Sequence, residues 1–291
     1  MFVGRSQIQQ NLDNCYYDTK SHMTVCYGRR RIGKTELLQH FCKGKKNVFF
    51  YSALLTTQKE QISNFLKCFA AFAKEPLIAK VPCRSWHEVF DIVTEKLPPQ
   101  KTIFVIDELQ WICKKNPSFL SILQHLWDLQ WQKNNRMHLI LCSSSVSFML
   151  SKVLSQKSPL FGRRTLSLEL GPLSCPDSQR LLGRPSIRDA IRALMCFGGI
   201  PAYLLLYNKN LSFERNLNQL AFCSSGYFVD EIKFVLSEQL NQPAVYYKIL
   251  RCLVALNKTD LQTLSRRLQI SPSSLLYNLE RLISIGIVQE D

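Results

Sequence analysis

The run G-R-R-R-I-G-K-T spans Gly28 to Thr35. Two glycines with four residues between them, followed by Lys and Thr, match the pattern of a phosphate-binding loop. Glycine lets the backbone curl so that successive N–H groups point inward at phosphate oxygens. A helix starting near Gly33 turns its positive end toward the same anion. Gly28, Arg29, Arg30, Arg31, Ile32, Gly33 and Glu36 are then candidate nucleotide contacts. Lys34 is expected to reach the β and γ phosphates and Thr35 to ligate Mg²⁺ through its hydroxyl. The plain alternative is a basic surface turn, and further residues decide against it.

"KTIFVIDELQW" is the first of them. Four apolar residues, Ile103 to Ile106, read as a strand buried on both faces, and it ends in Asp107 and Glu108. An aspartate there orders the Mg²⁺ shell, so Asp107 joins Thr35 as a candidate metal ligand, and a glutamate after it can activate the water that attacks the γ-phosphate. Alone, such a pair is a solvated loop end; with the upstream loop it reads as an ATP-hydrolysing pair. "RMHLILCSSSVSFM" exits a strand into Ser143, Ser144 and Ser145. Ser144 is the candidate sensor between water and γ-phosphate, and a neighbouring serine can cap the helix starting near Val146. Arg163 and Arg164 precede a last short strand and are candidates for stabilising transition-state charge on a neighbouring subunit, or else an exposed basic turn. Asn257-Lys258-Thr259-Asp260 matches the guanine-reading N-K-x-D pattern, but "DELQ" lacks the D-x-x-G glycine of GTPases, and Thr259 and Asp260 also suit helix caps.

The elements that must position these residues alternate between strand and helix. "MTVCY" reads as a strand before the loop and "KTELLQHFC" as a helix after it. "NVFFYSA" is a second strand, and residues near 57–74 and 85–97 read as helices, so one strand separates the loop from the acidic pair along the chain. Residues 176–240 read as helical and contain the turn Gly198-Gly199-Ile200-Pro201. "VYYKILRCLVALN", "TDLQTLSRRLQI" and "SPSSLLYNLERLISIGIV" follow as three helices, and with "GIVQED" as a terminal strand they make a winged helix-turn-helix. Its third helix, about 272–285, carries Arg281 and Glu280 but no dense basic face, while Arg266 and Arg267 lie on the helix before.

Composition bounds the function. The 291 residues are 46% hydrophobic with a net charge of +15, ordinary for a globular protein and biased toward polyanionic partners. From Leu129 to Leu168 there are six Lys or Arg and no Asp or Glu. Eleven cysteines without a C-x-x-C spacing suggest reduced, buried thiols such as Cys142, not zinc or a disulfide framework. No apolar segment is long enough to span a membrane and "MFVGRSQIQQ" lacks the build of a secretory signal, so a cytoplasmic protein without membrane contact is expected.

Taken in order, "MFVGR", "YGRRRIGKTELL", "FVIDELQW", "LILCSSSVSF", "LFGRRTLSLELGPL", "FGGIPAYL" and the three terminal helices resemble the archaeal-type ATPase family, among the AAA-like signal-transduction ATPases. The resemblance covers nearly the whole chain. It implies an α/β P-loop NTPase core of the additional-strand, catalytic-glutamate type, a three-layer sandwich, over 1–173. A helical lid over 174–240 and a winged helix-turn-helix over 241–291 would follow. It further implies that Phe2 and Val3 help form the adenine pocket and that Pro201 packs near the nucleotide. Ser143 departs from a glycine common in such proteins. Many longer relatives continue into a nuclease-like domain, whose activity is not carried over. The expected function is an ATP-dependent switch with slow or partner-stimulated hydrolysis, coupled to the winged helix. The alternative is a nucleotide-gated module that binds DNA or a partner with little hydrolysis. DNA, through the winged helix and basic surface, and a homo-oligomer are the candidate partners.

Overall fold

The computed structural model describes residues 2–256 and 259–289. The chain divides into two compact units, Met1–Leu181 with Gly199–Ala202, and Leu182–Gly198 with Tyr203–Asp291.

The first unit is built on five parallel strands: β1 (His22–Tyr27), β2 (Val48–Ser52), β3 (Thr102–Asp107), β4 (Met137–Ser143) and β5 (Leu166–Glu169). Their order across the sheet is β2-β3-β4-β1-β5. Every residue of β3 and of β4 is buried, so both faces of the central sheet are covered, as continuous apolar runs require. β4 lies between the strand that feeds the glycine loop and the strand that ends in the acidic pair. All three chemical segments therefore emerge side by side at the C-terminal edge, where open α/β sheets hold their ligands.

The connecting helices are α1 (Ser6–Tyr17), α2 (Lys34–Cys42), α3 (Gln58–Ala73), α4 (Trp86–Lys96), α5 (Leu109–Lys115) and α6 (Phe119–Leu126). Local chemistry fixes their starts. Thr57 and Glu60 form a reciprocal capping box on α3, and the Ser85 side chain accepts from the Glu88 N–H at the start of α4, two of the orphan amides that any helix N-terminus exposes. α2 buries Leu37, Leu38 and Phe41, which pins its first turn beside β1. Aromatic rings carry much of the remaining core: Phe65 meets Phe49, Trp86 and Phe90 at centroid distances of 5.1, 5.3 and 6.1 Å, spacings at which ring edges and faces attract.

Several polar residues are buried in this unit, His138 and Thr24 among them. His138 in β4 is fully buried, and its Nε2 lies 2.9 Å from the Thr24 hydroxyl, while its Nδ1 has no hydrogen-bond partner among the described residues. Burial, with minor help from His22 and Lys101, pushes its pKa down to about 3.

Among the described residues the second unit contains helices and no strand. Leu236, Ile249, Leu264, Leu275 and Leu282 form its own apolar centre. Helices Pro243–Leu256, Leu261–Leu268 and Pro272–Ser284 lie where three consecutive helices were expected. Asp260 caps the second helix by accepting from the Thr263 N–H at 2.8 Å. Gln269 takes the left-handed conformation in the tight turn, and Ser271 with Pro272 starts the third helix. Among the described residues no terminal strand forms. Gly286, with φ of +70°, ends the helix, and the Ile287 and Val288 N–H groups donate to the Leu282 carbonyl at 3.0 and 3.4 Å. Those amides satisfy the helix end, as in a Schellman turn, and no neighbouring strand competes for them among the described residues. Residues 286–289 therefore carry no wing strand, and Glu290 and Asp291 lie outside the described residues, as do Asn257 and Lys258 of the N-K-x-D pattern.

Candidate nucleotide-binding site

β1 ends at Tyr27 and the chain enters the loop through Gly28. A Cβ at Gly28 would stand 2.5 Å from the Leu170 carbonyl oxygen, so only glycine fits under this strand end. Arg31 and Gly33 both take positive φ, 68° and 89°, and Gly33 serves as the N-cap of α2 without a side-chain cap. The first amides of α2 are thus left to an anion rather than to a capping oxygen. Lys34 is buried, and its ammonium group donates to the Gly28 and Arg29 carbonyls at 2.9 and 3.0 Å. It therefore lies across the concavity of the loop.

The metal-ligand candidates meet directly. Thr35 Oγ1 donates to Asp107 Oδ2 at 2.7 Å, and the Glu108 N–H donates to Asp107 Oδ1 at 2.9 Å. Cys142 is fully buried beside Asp107 and Cys26, and burial first, then Cys26 and Asp107, raises its thiol pKa well above the ordinary range.

Glu108 takes the left-handed conformation, φ 55°, a region that costs a non-glycine residue energy and is concentrated at functional sites. The twist brings its carboxylate to the end of β4. There Oε2 accepts from Ser144 Oγ at 2.6 Å and from the Gln110 side-chain amide. Gln110 Nε2 also reaches Ser144 Oγ at 3.1 Å, and Ser143 Oγ donates to Gln110 Oε1 at 2.6 Å. A carboxylate can only accept, so the NH₂ of Gln110 must face Glu108 and its oxygen must face Ser143. The three serines divide their work. Ser143 orients Gln110, Ser144 holds Glu108, and Ser145 caps the following helix by accepting from the Phe148 N–H at 3.3 Å.

The N-terminal segment is tied to the same loop. Phe2 stacks on His40 of α2, centroids 4.4 Å apart and 9° from parallel, and Val3 is half-buried beside it in sequence. Arg5 Nη2 donates to the Gly171 carbonyl at 2.5 Å and to the Ile32 carbonyl in the loop at 3.5 Å. Pro201 belongs to this unit as well: a Cβ on Gly33 would touch its Cγ at 3.7 Å. Gly199 accepts the Leu173 N–H at 2.7 Å, and a side chain there would collide with the Leu173 carbonyl at 2.6 Å.

Arg163 and Arg164 are not brought to this cluster. Both precede the N-terminal end of β5, while the loop follows the C-terminal end of its parallel neighbour β1. Arg163 is committed elsewhere: Nε and Nη2 make a two-pronged bond to the Asp128 carboxylate, each 2.7 Å, and Nη1 reaches the Pro159 carbonyl at 2.9 Å. That pairing holds the Asp128 pKa below the usual carboxylate range. In this chain Arg163 is thus engaged by Asp128, away from the phosphate loop. Arg164 is exposed. Sequence reasoning passed over Gln110 and Arg5 as participants, and named Ser143 only as one of the three serines at the strand exit. The only available signal was position: Gln110 stands one residue into the helix that Glu108 starts, and Arg5 follows the left-handed Gly4.

Comparison with known proteins gives the family and the fold. A family model for an ATPase domain predominantly from Archaea matches residues 2–206. The uncharacterized protein MJECL04 of Methanocaldococcus jannaschii is 28% identical over 289 residues, 99% of this chain and 62% of that protein. The chain thus spans less than two thirds of that relative's length. An uncharacterized ATP-binding protein of the same organism, MJ0423, is 39% identical over 46 residues, 16% of this chain and 78% of that protein. Among solved structures, the Walker-type ATPase PABY2304 of Pyrococcus abyssi superposes with a TM-score of 0.71 at 19% identity, covering 100% of this chain and 91% of that one. The Aeropyrum pernix ORC2 protein, solved as ADPNP and ADP complexes, gives a TM-score of 0.61 at 13% identity over 99% and 87%. At such identities these two share the fold. With the family model covering its loop, acidic pair and serine strand, the chain belongs to the ATPase domains found predominantly in Archaea.

Proposed function

We propose that the protein binds ATP with Mg²⁺ and hydrolyses it slowly, using the change at the γ-phosphate as a switch read by its helical second unit. The observation that carries this reading is the hydrogen-bonded set Glu108, Ser144 and Gln110 at the end of β4, beside the Thr35–Asp107 pair. Thr35 and Asp107 offer two hard oxygens 2.7 Å apart, a donor set that suits Mg²⁺, which takes few protein ligands and completes its shell with water and substrate phosphate. When bound, the metal would neutralise charge developing on the phosphates. Lys34 and the open amides of α2 hold the phosphate chain. Glu108 accepts a proton from the attacking water. Ser144 Oγ can donate to one acceptor at a time, so a donation to the γ-phosphate withdraws it from Glu108. Gln110 keeps hold of the carboxylate through that exchange. Phe2, Val3 and Pro201 frame the base.

The second reading is a nucleotide-gated DNA-binding or partner-binding module with little turnover. Its support is that the Glu108 carboxylate is already engaged by two donors. Phosphate release and nucleotide binding, measured on wild type, Lys34→Ala and Glu108→Gln, separate the two. Turnover abolished by Glu108→Gln with binding retained fits hydrolysis. Tight binding with wild-type turnover no higher than Lys34→Ala fits the module.

A further inference from the structure

Each strand of the parallel sheet is entered from a basic residue. Lys20 precedes β1, Lys46 β2, Lys101 β3, Arg136 β4 and Arg164 β5. The strand register aligns them. Val48 opposite Ile103 sets Lys46 level with Lys101. Thr102 opposite Met137 sets Lys101 level with Arg136, and the Thr102 N–H donates to the Arg136 carbonyl at 2.8 Å. His22 opposite His138 sets Arg136 level with Lys20. Thr24 opposite Leu166 puts Arg164 level with His22, two residues further along. With strands about 4.8 Å apart, the row runs about 15 Å from Lys46 to Lys20 and about 19 Å to Arg164.

Most of the row is open to solvent. Lys20, Lys46, Arg136 and Arg164 are exposed, as is Lys133 just before β4, and none of them is in an ion pair among the described residues. Lys101 turns inward and ties the Asp18 and Lys20 carbonyls, which fixes the corner between them. The acids beside the row are already paired. Asp18 meets His22 at 2.7 Å, Asp13 meets Lys45 at 2.8 Å, and Asp128 meets Arg163 at 2.7 Å. Strand ends in a buried sheet do not drift, so the backbone sets the order and spacing of the Cα positions from which these side chains extend. A compact anion needs donors that converge on one point, which a row does not offer. A line of cations matches a line of fixed anions, one phosphate per 3.4 Å of axis on each strand of a duplex. We propose that this N-terminal edge of the sheet is a binding surface for the phosphate backbone of duplex DNA. It reads charge and not sequence, because cations on a strand edge meet phosphates and carry no base-edge pattern. The surface lies at the other end of the strands from the nucleotide loop and requires no hydrolysis.

The test is anisotropy of a short labelled DNA duplex with the full chain across a salt series. Two variants are compared with wild type: Lys20→Ala/Lys46→Ala/Arg136→Ala/Arg164→Ala, and Arg266→Ala/Arg267→Ala in helix Leu261–Leu268. ATP affinity and melting temperature serve as folding controls. Removing one cation that neutralises a phosphate lowers the slope of log K against log salt by about 0.9, so the edge variant is expected to lose about 3 to 4 from the slope and at least ~10-fold in affinity. The Arg266/Arg267 variant retains most of the wild-type slope. An edge variant with unchanged slope overturns the proposal, as does a loss of binding confined to the Arg266/Arg267 variant. Binding to anionic phospholipid vesicles with none to the duplex also overturns it.

Discussion

Glu108 is held by two donors, Ser144 and Gln110. Gln110 is fixed from both ends, its oxygen by Ser143 and its NH₂ by Glu108. Gln110→Ala should therefore lower kcat by about 10- to 100-fold, the scale of a misplaced catalytic group, while KM for ATP stays within about 2-fold because the phosphate-holding groups are untouched. Ser143→Ala should give a smaller loss, and the double variant should be no worse than Gln110→Ala, since both act through one carboxamide. Steady-state kinetics with a nucleotide-binding titration checks this; a rise in KM at constant kcat would place Gln110 in substrate binding instead. Gly28→Ala tests the loop in another way. Its Cβ would enter the Leu170 carbonyl at 2.5 Å, so ATP binding should fall by at least ~10-fold, about 1.4 kcal/mol, in an equilibrium titration of folded protein. Lys34, Thr35, Asp107 and Glu108 could be singled out as candidates from the sequence because spacing and residue type together point to the chemistry. Gln110 could not be, because its role depends on Ser143, 33 residues away and brought close only by the sheet.

At the scale of elements, β4 carries a residue that fixes an acid limit for the fold. The folded-state pKa of His138 is depressed to about 3, against about 6.5 for an unfolded histidine. The unfolded chain therefore takes up a proton that the folded chain refuses. Stability from this group is complete above about pH 6.5 and falls toward pH 3, by at most about 1.4 kcal/mol per pH unit. Denaturant unfolding between pH 7 and 4 should show a weaker pH dependence in His138→Gln than in wild type. An identical pH dependence in the two would remove His138 as the cause. Caps are the other element-scale contribution. Asp260→Ala removes the oxygen that accepts the Thr263 N–H at 2.8 Å, and should destabilise the helical second unit by about 1 kcal/mol in thermal unfolding. Asp260 could be recognised locally, because a cap needs only residues within one turn. The wing strand could not be settled that way: "GIVQED" has strand-like residues, but a strand needs a partner, and Gly286 diverts the amides of Ile287 and Val288 to the helix end.

At the scale of the molecule, the sequence showed alternating strands and helices, and hence a parallel α/β core. Sheet order was beyond it, since pairing joins residues far apart in the chain. The insertion of β4 between β1 and β3 brings the loop, the acidic pair and the serines to one edge and aligns the basic residues at the other. The approach to β5 begins at the far end of the sheet, and Asp128 binds the Arg163 guanidinium there. Hydrolysis by a Glu108-dependent step is the central claim. Phosphate release from Mg²⁺ and ATP by wild type and Glu108→Gln, with ATP affinity measured on the same samples, tests it most directly. The expected result is turnover in wild type that falls by at least ~100-fold in Glu108→Gln, the lower end of general-base contributions, at unchanged ATP affinity. Equal rates in the two proteins, or no wild-type turnover above the Lys34→Ala level, would contradict it.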